Sequence, residues 1–166
     1  MDDLDDLYDI QSRPEVTRYL YWSSRDREQA RESLEKKVLT SALQGEGDEL
    51  TLAMVLPETG KVIGDVQLMW VSREHRQGEI GYVFHPDHGG SGYATEAAEV
   101  MLRLGFDQLG LHRVIGRLDG RNTASARVLQ RLGMRREAHF TQNEFYKGEW
   151  ADEVVYAMLE DEWRAR

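Results

Sequence analysis

The sequence contains no cysteine, which excludes disulfide bonds and thiolate chemistry. It also has no apolar run long enough to cross a bilayer and no secretory signal at its start, so we expect a cytoplasmic protein without membrane contact. Repeats, linkers and low-complexity tracts are absent as well, and 166 residues suit one domain of ordinary size, residues 1–166.

Positive charge is scarce in this chain. Lysine and arginine number 21 against 30 aspartates and glutamates, which gives a net charge of -9. This balance argues against a broad nucleic-acid surface, so nucleic acid is not an expected partner. An acidic surface can favour cationic substrates such as amines, although simple solubility explains the same charge. The exception is residues 113–136, where seven arginines are opposed only by Asp119.

The most informative stretch is a glycine-rich segment at residues 85–99, HPDHGGSGYATEAAE. A strand-like run at residues 78–84 leads into it, and an apolar stripe at helical spacing follows. The stripe consists of Ala94, Ala97, Ala98, Met101, Leu102, Gly105, Phe106 and Leu109. The glycines would let the backbone approach a ligand, and the first N–H groups of the helix would point at it. The segment predicts a phosphate site; a plain connector before a helix is the alternative.

Two common phosphate loops do not fit this segment. A P-loop would end in Gly-Lys-Ser/Thr, and a dinucleotide loop would need a longer glycine spacing. The segment instead resembles the acetyl-CoA loop of the Gcn5-related N-acetyltransferase (GNAT) superfamily, whose signature is Gln/Arg-x-x-Gly-x-Gly/Ala. Gly92 and Ala94 hold the last two places, whereas Gly89 replaces the usual Gln or Arg and removes one side-chain contact near the phosphates.

Two later segments extend the resemblance to the RimJ/RimL-type branch of that superfamily. Residues 122–125 and 132–134 resemble its Asn-x-x-Ser…Leu-Gly-Phe pattern, and residues 145–163 resemble its C-terminal hairpin. The resemblance implies an α/β (α+β) GNAT fold: a central mixed, mostly antiparallel sheet, splayed at the acetyl-CoA site, with helices on both faces. One departure is that the chain starts almost directly at the first helix. Either the first edge strand is missing or the start of the sequence is incomplete.

Periodicity and turn residues predict the elements around these motifs. The predicted helices, besides the one after the glycine-rich segment, cover residues 2–10, 26–43 and 122–132, and residues 14–20 are predicted to form a short turn or helix. The predicted strands cover residues 50–56, 61–72, 78–85 and 112–119, followed by a hairpin of residues 136–146 and 150–159.

The resemblance also implies which residues hold acetyl-CoA, the expected co-substrate. Backbone groups of Val83, Phe84 and His85 would pair with the pantetheine arm, and one of them would serve the thioester oxygen. The pyrophosphate would lie on backbone amides of Gly89, Gly90, Ser91, Gly92, Tyr93 and Ala94. Asn122 would bind the pantetheine chain or only cap a helix, and Arg127 of the basic segment would contact the ligand. No His, Asp or Glu group has metal-site spacing, so no metal is expected.

Two residues are candidates for catalysis. Ser125 would contact the cofactor and hold or protonate the departing thiolate, unless it is only a hydroxyl in a first helical turn. Leu129 occupies the place where other branches of the superfamily carry a tyrosine acid. Glu79 is the candidate base, with a solvated strand end as the alternative. His85 is a lesser candidate: histidine is the residue type used for proton transfer near neutral pH, but this one precedes Pro86, and the alternative is that it only shapes the loop.

The resulting hypothesis is an acetyl-CoA-dependent N-acetyltransferase in which an amine attacks the acetyl thioester directly, in a ternary complex. The acceptor would be a primary amine, either a protein N-terminal α-amine or a small molecule. Trp22, Tyr146 and Trp150 would line its pocket or belong to the core. A non-catalytic acyl-CoA-binding sensor or scaffold of the same fold is the alternative. We expect a monomer or a homodimer.

Overall fold

One six-stranded sheet organises the computed structural model, which describes residues 3–39 and 42–166. Its strands are β1 (Glu49–Val55), β2 (Val62–Ser72), β3 (Gln77–Phe84), β4 (Arg113–Asp119), β5 (Arg135–Tyr146) and β6 (Glu149–Leu159). The helices of the described ranges are α1 (Leu4–Gln11), α2 (Pro14–Thr17), α3 (Arg27–Leu39), α4 (Tyr93–Arg103), α5 (Thr123–Arg131) and α6 (Glu160–Arg164). A 3₁₀ turn at Pro86–His88 precedes α4, and a π-helical turn at Leu104–Gln108 follows it.

The sheet is mixed and mostly antiparallel. The strand order is β1-β2-β3-β4-β6-β5, in which β3 and β4 are parallel and the other neighbours antiparallel. The parallel pairing extends only from Gln77–Arg113 to Glu79–Ile115. Because β3 continues to Phe84 and β4 to Asp119, the two strands separate toward their carboxyl ends. The predicted fold class is confirmed.

Alternation along the strands places helices on both faces of the sheet. Asp65 of β2 binds Lys37 of α3 at 3.0 Å, and His85, directly after β3, lies 3.0 Å from Asp9 of α1. Val66, on the opposite face of β2, packs in the core that α4 and α5 cover. Therefore α1 and α3 lie on one face, and α4 and α5 on the other.

The main core fixes the helix that follows the glycine-rich segment. Ala98, Met101 and Leu102 of the predicted stripe are each 0% exposed. Burial of a large apolar side chain such as Leu or Met contributes roughly 1.5–3 kcal/mol to the free energy of folding. This stripe therefore holds α4 against the sheet. Leu129 of α5 is buried in the same core, and Gly133 ends that helix with a φ of +76°, as its position predicts.

The N-terminal region differs from the prediction in two respects. Residues 3–39 contain helices and no strand, so within the described chain the sheet begins at β1. In addition, α3 ends before residue 43, where the predicted helix ended, and residues 40 and 41 of that predicted helix lie outside the described residues. Val38 is 67% exposed, so this apolar residue of the predicted helix does not face the core. The carboxylate of Asp48 accepts the N–H groups of residues 44 and 45, which fixes a turn there instead.

Membrane-spanning helices and metal-binding side-chain clusters are both absent from residues 3–39 and 42–166. No helix in these ranges combines the length and apolarity that a membrane crossing requires. Nor do three His, Asp or Glu side chains in the same ranges come together as a metal site.

Candidate active site

A cavity of about 690 Å³ opens where β3 and β4 separate. One wall comes from the two strands and from α5, through Ile80, Gly81, Tyr82, Val83, Gly116, Arg117, Leu118, Asp119, Asn122, Ser125 and Leu129. The opposite wall comes from residues 19–25, from α3, and from Gln11, Asp65 and Gln67. Because separated strands lose their mutual hydrogen bonds, this cavity exposes backbone groups that a ligand can pair with.

The cleft edge of β3 presents the backbone of alternate residues. The N–H of His85 donates to the carbonyl of Ile63 at 2.8 Å, on the β2 side. Because successive backbone groups of a strand point to opposite edges, Val83 also faces β2, and Tyr82 and Phe84 face the cleft. Three residues were predicted to bind the pantetheine arm by their backbone. Among them, Phe84 is therefore the one whose backbone groups face the cleft.

The His85 side chain is buried outside the lining of the cavity. It is 1% exposed; its Nε2 lies 3.0 Å from Oδ2 of Asp9, and its Nδ1 accepts the N–H of Asp87 at 3.2 Å. The imidazole thus joins α1 to the start of the glycine-rich segment. These contacts give it the loop-shaping role that its place before Pro86 suggested.

The glycine-rich segment has the backbone of an anion site. Gly90 and Gly92 have φ values of +83° and +87°, in the region that favours glycine. The first N–H bond at the start of α4 runs from Glu96 to the carbonyl of Gly92 at 3.0 Å. The three preceding N–H groups, at residues 93–95, have no acceptor within the helix, and Gly92, the N-cap, has no side chain to supply one. Unsatisfied N–H groups with the helix dipole behind them attract anions.

The six residues predicted to hold the pyrophosphate are all exposed or half-buried in this segment: Gly89, Gly90, Ser91, Gly92, Tyr93 and Ala94. Arg127 is exposed on α5 and lies outside the residues that line the cavity. A contact of Arg127 with a ligand therefore has to involve a part of that ligand that extends over the outer surface of α5.

Two predicted residues, Asn122 and Ser125, meet at the start of α5. Oδ1 of Asn122 accepts the N–H of Ser125 at 3.1 Å, so Asn122 caps the helix, and its NH₂ group is the part of the amide that this contact does not use. Oγ of Ser125 lies 2.9 Å from the hydroxyl of Tyr82, which is also 3.0 Å from the carbonyl oxygen of Ser125. Burial raises the pKa of Tyr82 to about 12, although the contact with Ser125 opposes that shift.

Glu79, the predicted base, is held by Arg117. Nε of Arg117 lies 3.0 and 3.1 Å from the two carboxylate oxygens of Glu79, and this hydrogen bond raises the pKa of Arg117. Arg117 lines the cavity, whereas Glu79 does not. Glu79 is thus the partner of an arginine in the cleft, and action as a base requires that ion pair to open.

Two neighbouring carboxyl groups, those of Glu144 and Glu153, lie where the β5–β6 hairpin meets the loop at residues 19–25. The hydroxyl of Tyr21, a cavity residue, donates to Glu144 and lies 2.6 Å from both of its carboxylate oxygens. Glu153 is 6% exposed and lies opposite Asp119 in the β4–β6 ladder. Burial raises the pKa of Glu153, and the neighbouring Glu144 carboxyl raises it further. A carboxyl group with a raised pKa accepts a proton near neutral pH better than an ordinary one.

Asp119 is buried at the edge of the cavity. Arg121 binds it through Nη2 at 2.7 Å and Nε at 3.0 Å, and the hydroxyl of Tyr146 also donates to it. Burial alone would raise the pKa of Asp119, but these hydrogen bonds outweigh burial and hold the pKa below its ordinary value. Asp119 is thus an ionised carboxylate that is paired with Arg121.

The three aromatic residues predicted for the acceptor pocket separate in the structure. Trp22 lines the cavity, where the Arg25 guanidinium lies 4.3 Å from the centre of its ring. Tyr146 does not line the cavity, but its hydroxyl donates to Asp119, which does. Trp150 lies instead in a smaller cavity of about 500 Å³, beside Arg136.

Sequence reasoning overlooked Tyr82, Tyr21 and Glu144. Tyr82 carried a weak signal, since strand alternation already placed it on the face opposite Glu79. Tyr21 and Glu144 are 123 positions apart, and no local pattern links them.

Comparisons with known proteins match this geometry. Residues 1–135 match the family described as the acetyltransferase (GNAT) domain. The uncharacterised N-acetyltransferase p20 of Bacillus licheniformis is 30% identical over 164 residues, which cover 98% of this chain and 90% of that protein. The uncharacterised N-acetyltransferase YnaD of Bacillus subtilis (strain 168) is 40% identical over 110 residues, which cover 66% of this chain and 64% of that protein.

Solved structures show the same architecture. A GNAT-family acetyltransferase from Bacillus anthracis superposes with a TM-score of 0.83 at 31% identity, over 96% of this chain and 90% of that chain. Spermidine N-acetyltransferase from Vibrio cholerae, in complex with CoA and spermine, superposes with a TM-score of 0.79 at 20% identity, over 98% of this chain and 93% of that chain. At that identity the second likeness concerns the fold alone.

Proposed function

Because this chain belongs to the acetyltransferase (GNAT) domain family, it is an N-acetyltransferase, and we propose that it moves the acetyl group of acetyl-CoA directly to a primary amine in a ternary complex. We place it in the RimJ/RimL-type branch on the strength of its Asn122–Ser125 segment and its C-terminal hairpin. The observation that carries the proposal is the separation of β3 from β4 beside the uncapped start of α4. An extended chain with amide groups fits such an opened edge, and its phosphates fit the helix start.

Binding of acetyl-CoA rests mainly on backbone groups in this proposal. The cleft-facing backbone of Phe84 pairs with the pantetheine arm and serves the thioester oxygen. The N–H groups at the start of α4 take the pyrophosphate, helped by the positive φ angles of Gly90 and Gly92. The NH₂ group of Asn122 reaches the pantetheine chain while its oxygen caps α5.

The chemistry needs one proton removed from the amine and one delivered to the sulfur. Ser125, at the cavity wall, donates to the sulfur as the carbon–sulfur bond breaks. Glu79 is the predicted base, and its carboxylate is engaged by Arg117, so this ion pair has to open before Glu79 can take a proton. Glu153 is the second candidate, since burial and Glu144 raise its pKa.

The acceptor enters from the side of the cavity formed by residues 19–25 and α3. Spermidine N(1)-acetyltransferase of Escherichia coli (strain K12) is 24% identical over 118 residues, 71% of this chain and 63% of that protein. Its name favours an amine acceptor for this chain too. Small polyamines and protein N-terminal α-amines are the two acceptor classes that we propose to compare.

The test is acetyl-CoA turnover with a panel of polyamines, other small amines and peptides with free N-termini. Released CoA thiol is measured with a thiol reagent, and the protein adds no background because it has no cysteine. We expect amine-dependent thiol release and an acetylated amine by mass spectrometry. Tight CoA binding by calorimetry without turnover on any amine would overturn the proposal in favour of a sensor or scaffold.

Two matched variants then separate the candidate bases. Glu79→Gln and Glu153→Gln each remove one carboxylate and keep the side-chain shape. The variant that loses kcat and the acid limb of the pH–rate profile identifies the base. Wild-type kcat in both variants would exclude both carboxylates.

A further inference from the structure

Tyr82 joins β3 to α5 within one wall of the cavity, where β3 and β4 have already separated. It lies three positions beyond Glu79, which forms the last parallel pair with Ile115. Its hydroxyl oxygen is 2.9 Å from Oγ and 3.0 Å from the carbonyl oxygen of Ser125, in the first turn of α5. Both residues line the cavity. The Tyr82 hydroxyl therefore connects β3, whose edge is open to the cleft, with the hydroxyl of Ser125 on α5.

A serine in the first turn of a helix has a competing local hydrogen bond. Its hydroxyl can donate to a backbone carbonyl three or four residues earlier, and this rotamer turns the O–H away from a ligand. Tyr82 opposes that rotamer because its hydroxyl and Oγ of Ser125 form a hydrogen bond between β3 and α5. Burial raises the pKa of Tyr82 to about 12, so the phenol stays protonated and remains a donor at physiological pH.

We propose that Tyr82 is a positioning residue that holds the Ser125 hydroxyl toward the departing sulfur, a role that rests on the proposed function of this site. As the new carbon–nitrogen bond forms and the carbon–sulfur bond breaks, the electron pair of the broken bond stays on sulfur. Ser125 donates a hydrogen bond to that sulfur. The single O–H of Tyr82 can donate to the carbonyl oxygen or to Oγ of Ser125. When it donates to Oγ, the serine hydrogen points outward and is a stronger donor. The base takes one proton from the amine, and the sulfur takes one from Ser125, which regains a proton from solvent. Tyr82 therefore ends the cycle unchanged.

The test is a double-mutant cycle of Tyr82→Phe and Ser125→Ala, read by steady-state kinetics on the amine that the wild-type chain uses best. Tyr82→Phe should lower kcat about tenfold and change the KM for acetyl-CoA less than about twofold, because the lost hydrogen bond acts as charge develops on sulfur. In the Ser125→Ala background, the same substitution should change kcat less than about twofold, since the group that Tyr82 positions is gone.

Tyr156→Phe is the matched control. Tyr156 of β6 is 4% exposed, and its hydroxyl accepts a hydrogen bond at 3.1 Å from Gln130 of α5, the helix that also carries Ser125. This variant also removes one buried phenol oxygen that contacts α5, so it should melt like Tyr82→Phe and keep the wild-type kcat. If Tyr82→Phe does not fold, Tyr82→Met takes its place in the cycle, because an unbranched methionine fills irregular space well.

Two results would overturn the role of Tyr82: a wild-type kcat in Tyr82→Phe, or an equal loss with and without Ser125. A third result is distinct from these. If the wild-type chain releases no thiol with any amine, the proposed function itself is wrong, and the role of Tyr82 is refuted with it before any variant is compared.

Discussion

The glycine-rich segment offers the sharpest test of where the coenzyme phosphates bind, through Gly92→Ala. Gly92 has a φ of +87°, and a Cβ added there meets no atom within 4 Å. The folding cost is therefore backbone strain alone, roughly 1–2 kcal/mol for a residue forced into the left-handed region. For a chain of this size, such a loss lowers the melting temperature by about 2–8 °C.

The effect on the ligand comes from the N–H groups beside Gly92. Relaxation of the strained φ rotates the peptide groups that begin α4, which are the N–H groups without a helical acceptor. Hydrogen bonds to a charged group contribute about 1.5–3 kcal/mol, so CoA affinity should fall about tenfold or more. Isothermal titration of CoA into the variant and the wild-type protein measures this fall.

Gly148→Ala supplies the matched control. Gly148 has a φ of +81°, and an added Cβ there also meets no atom within 4 Å, but it lies in the β5–β6 turn. We expect both variants to lose similar stability and Gly92→Ala alone to lose CoA affinity. If Gly92→Ala melts like the control and binds CoA as the wild-type protein does, the phosphates do not lie on this segment.

Three further predictions concern catalysis, the acceptor and acid stability. Ser125→Ala should lower kcat about 10²-fold with the KM for acetyl-CoA little changed; steady-state kinetics check this, and a normal kcat would remove Ser125 from the mechanism. Tyr21→Phe frees Glu144 from its hydroxyl partner and should raise the KM for the amine about fivefold or more, since a lost hydrogen bond of about 1 kcal/mol acts on the acceptor side; an unchanged amine KM would separate Tyr21 from the acceptor. Arg113, with help from Arg135, lowers the pKa of Glu137 from 4.5 to about 2, so Glu137 stabilises the fold above about pH 4.5 and this contribution is lost as the pH falls toward 2. Thermal melts from pH 6 to pH 3 should therefore fall more steeply for the wild-type protein than for Glu137→Gln, and parallel curves would contradict the assignment.

The sequence alone determined the elements and the phosphate segment, because their signals are local. Three glycines between a strand and an apolar stripe specify a turn with positive φ and a helix start behind it, and Gly90 and Gly92 have those angles. The stripe at Ala98, Met101 and Leu102 follows from helical periodicity, and each residue is buried. Backbone chirality and the helical period act over a few residues, so neither needs the rest of the fold.

Where local signals compete, the prediction was less accurate. Apolar residues at helical spacing extended the predicted α3 to residue 43, whereas the described residues 42 and 43 lie outside any helix. The stripe after the glycine-rich segment predicted one continuous helix, but α4 ends at Arg103 and a π-helical turn continues the same buried face. In both places the spacing of apolar residues describes a face and not the hydrogen-bond pattern beneath it.

Only the tertiary structure decided which functional side chains meet. The ion pair between Glu79 and Arg117 spans 38 positions, and the contact between Tyr82 and Ser125 spans 43. These pairs form because a crossover places β4 parallel to β3 for three residues and then lets the strands separate, which brings α5 against the open edge. Strand order and the point of separation depend on the packing of α4 and α5 against the whole sheet. Hydrogen bonds and charges act over a few ångströms, so their partners are set by that packing and not by distance along the chain.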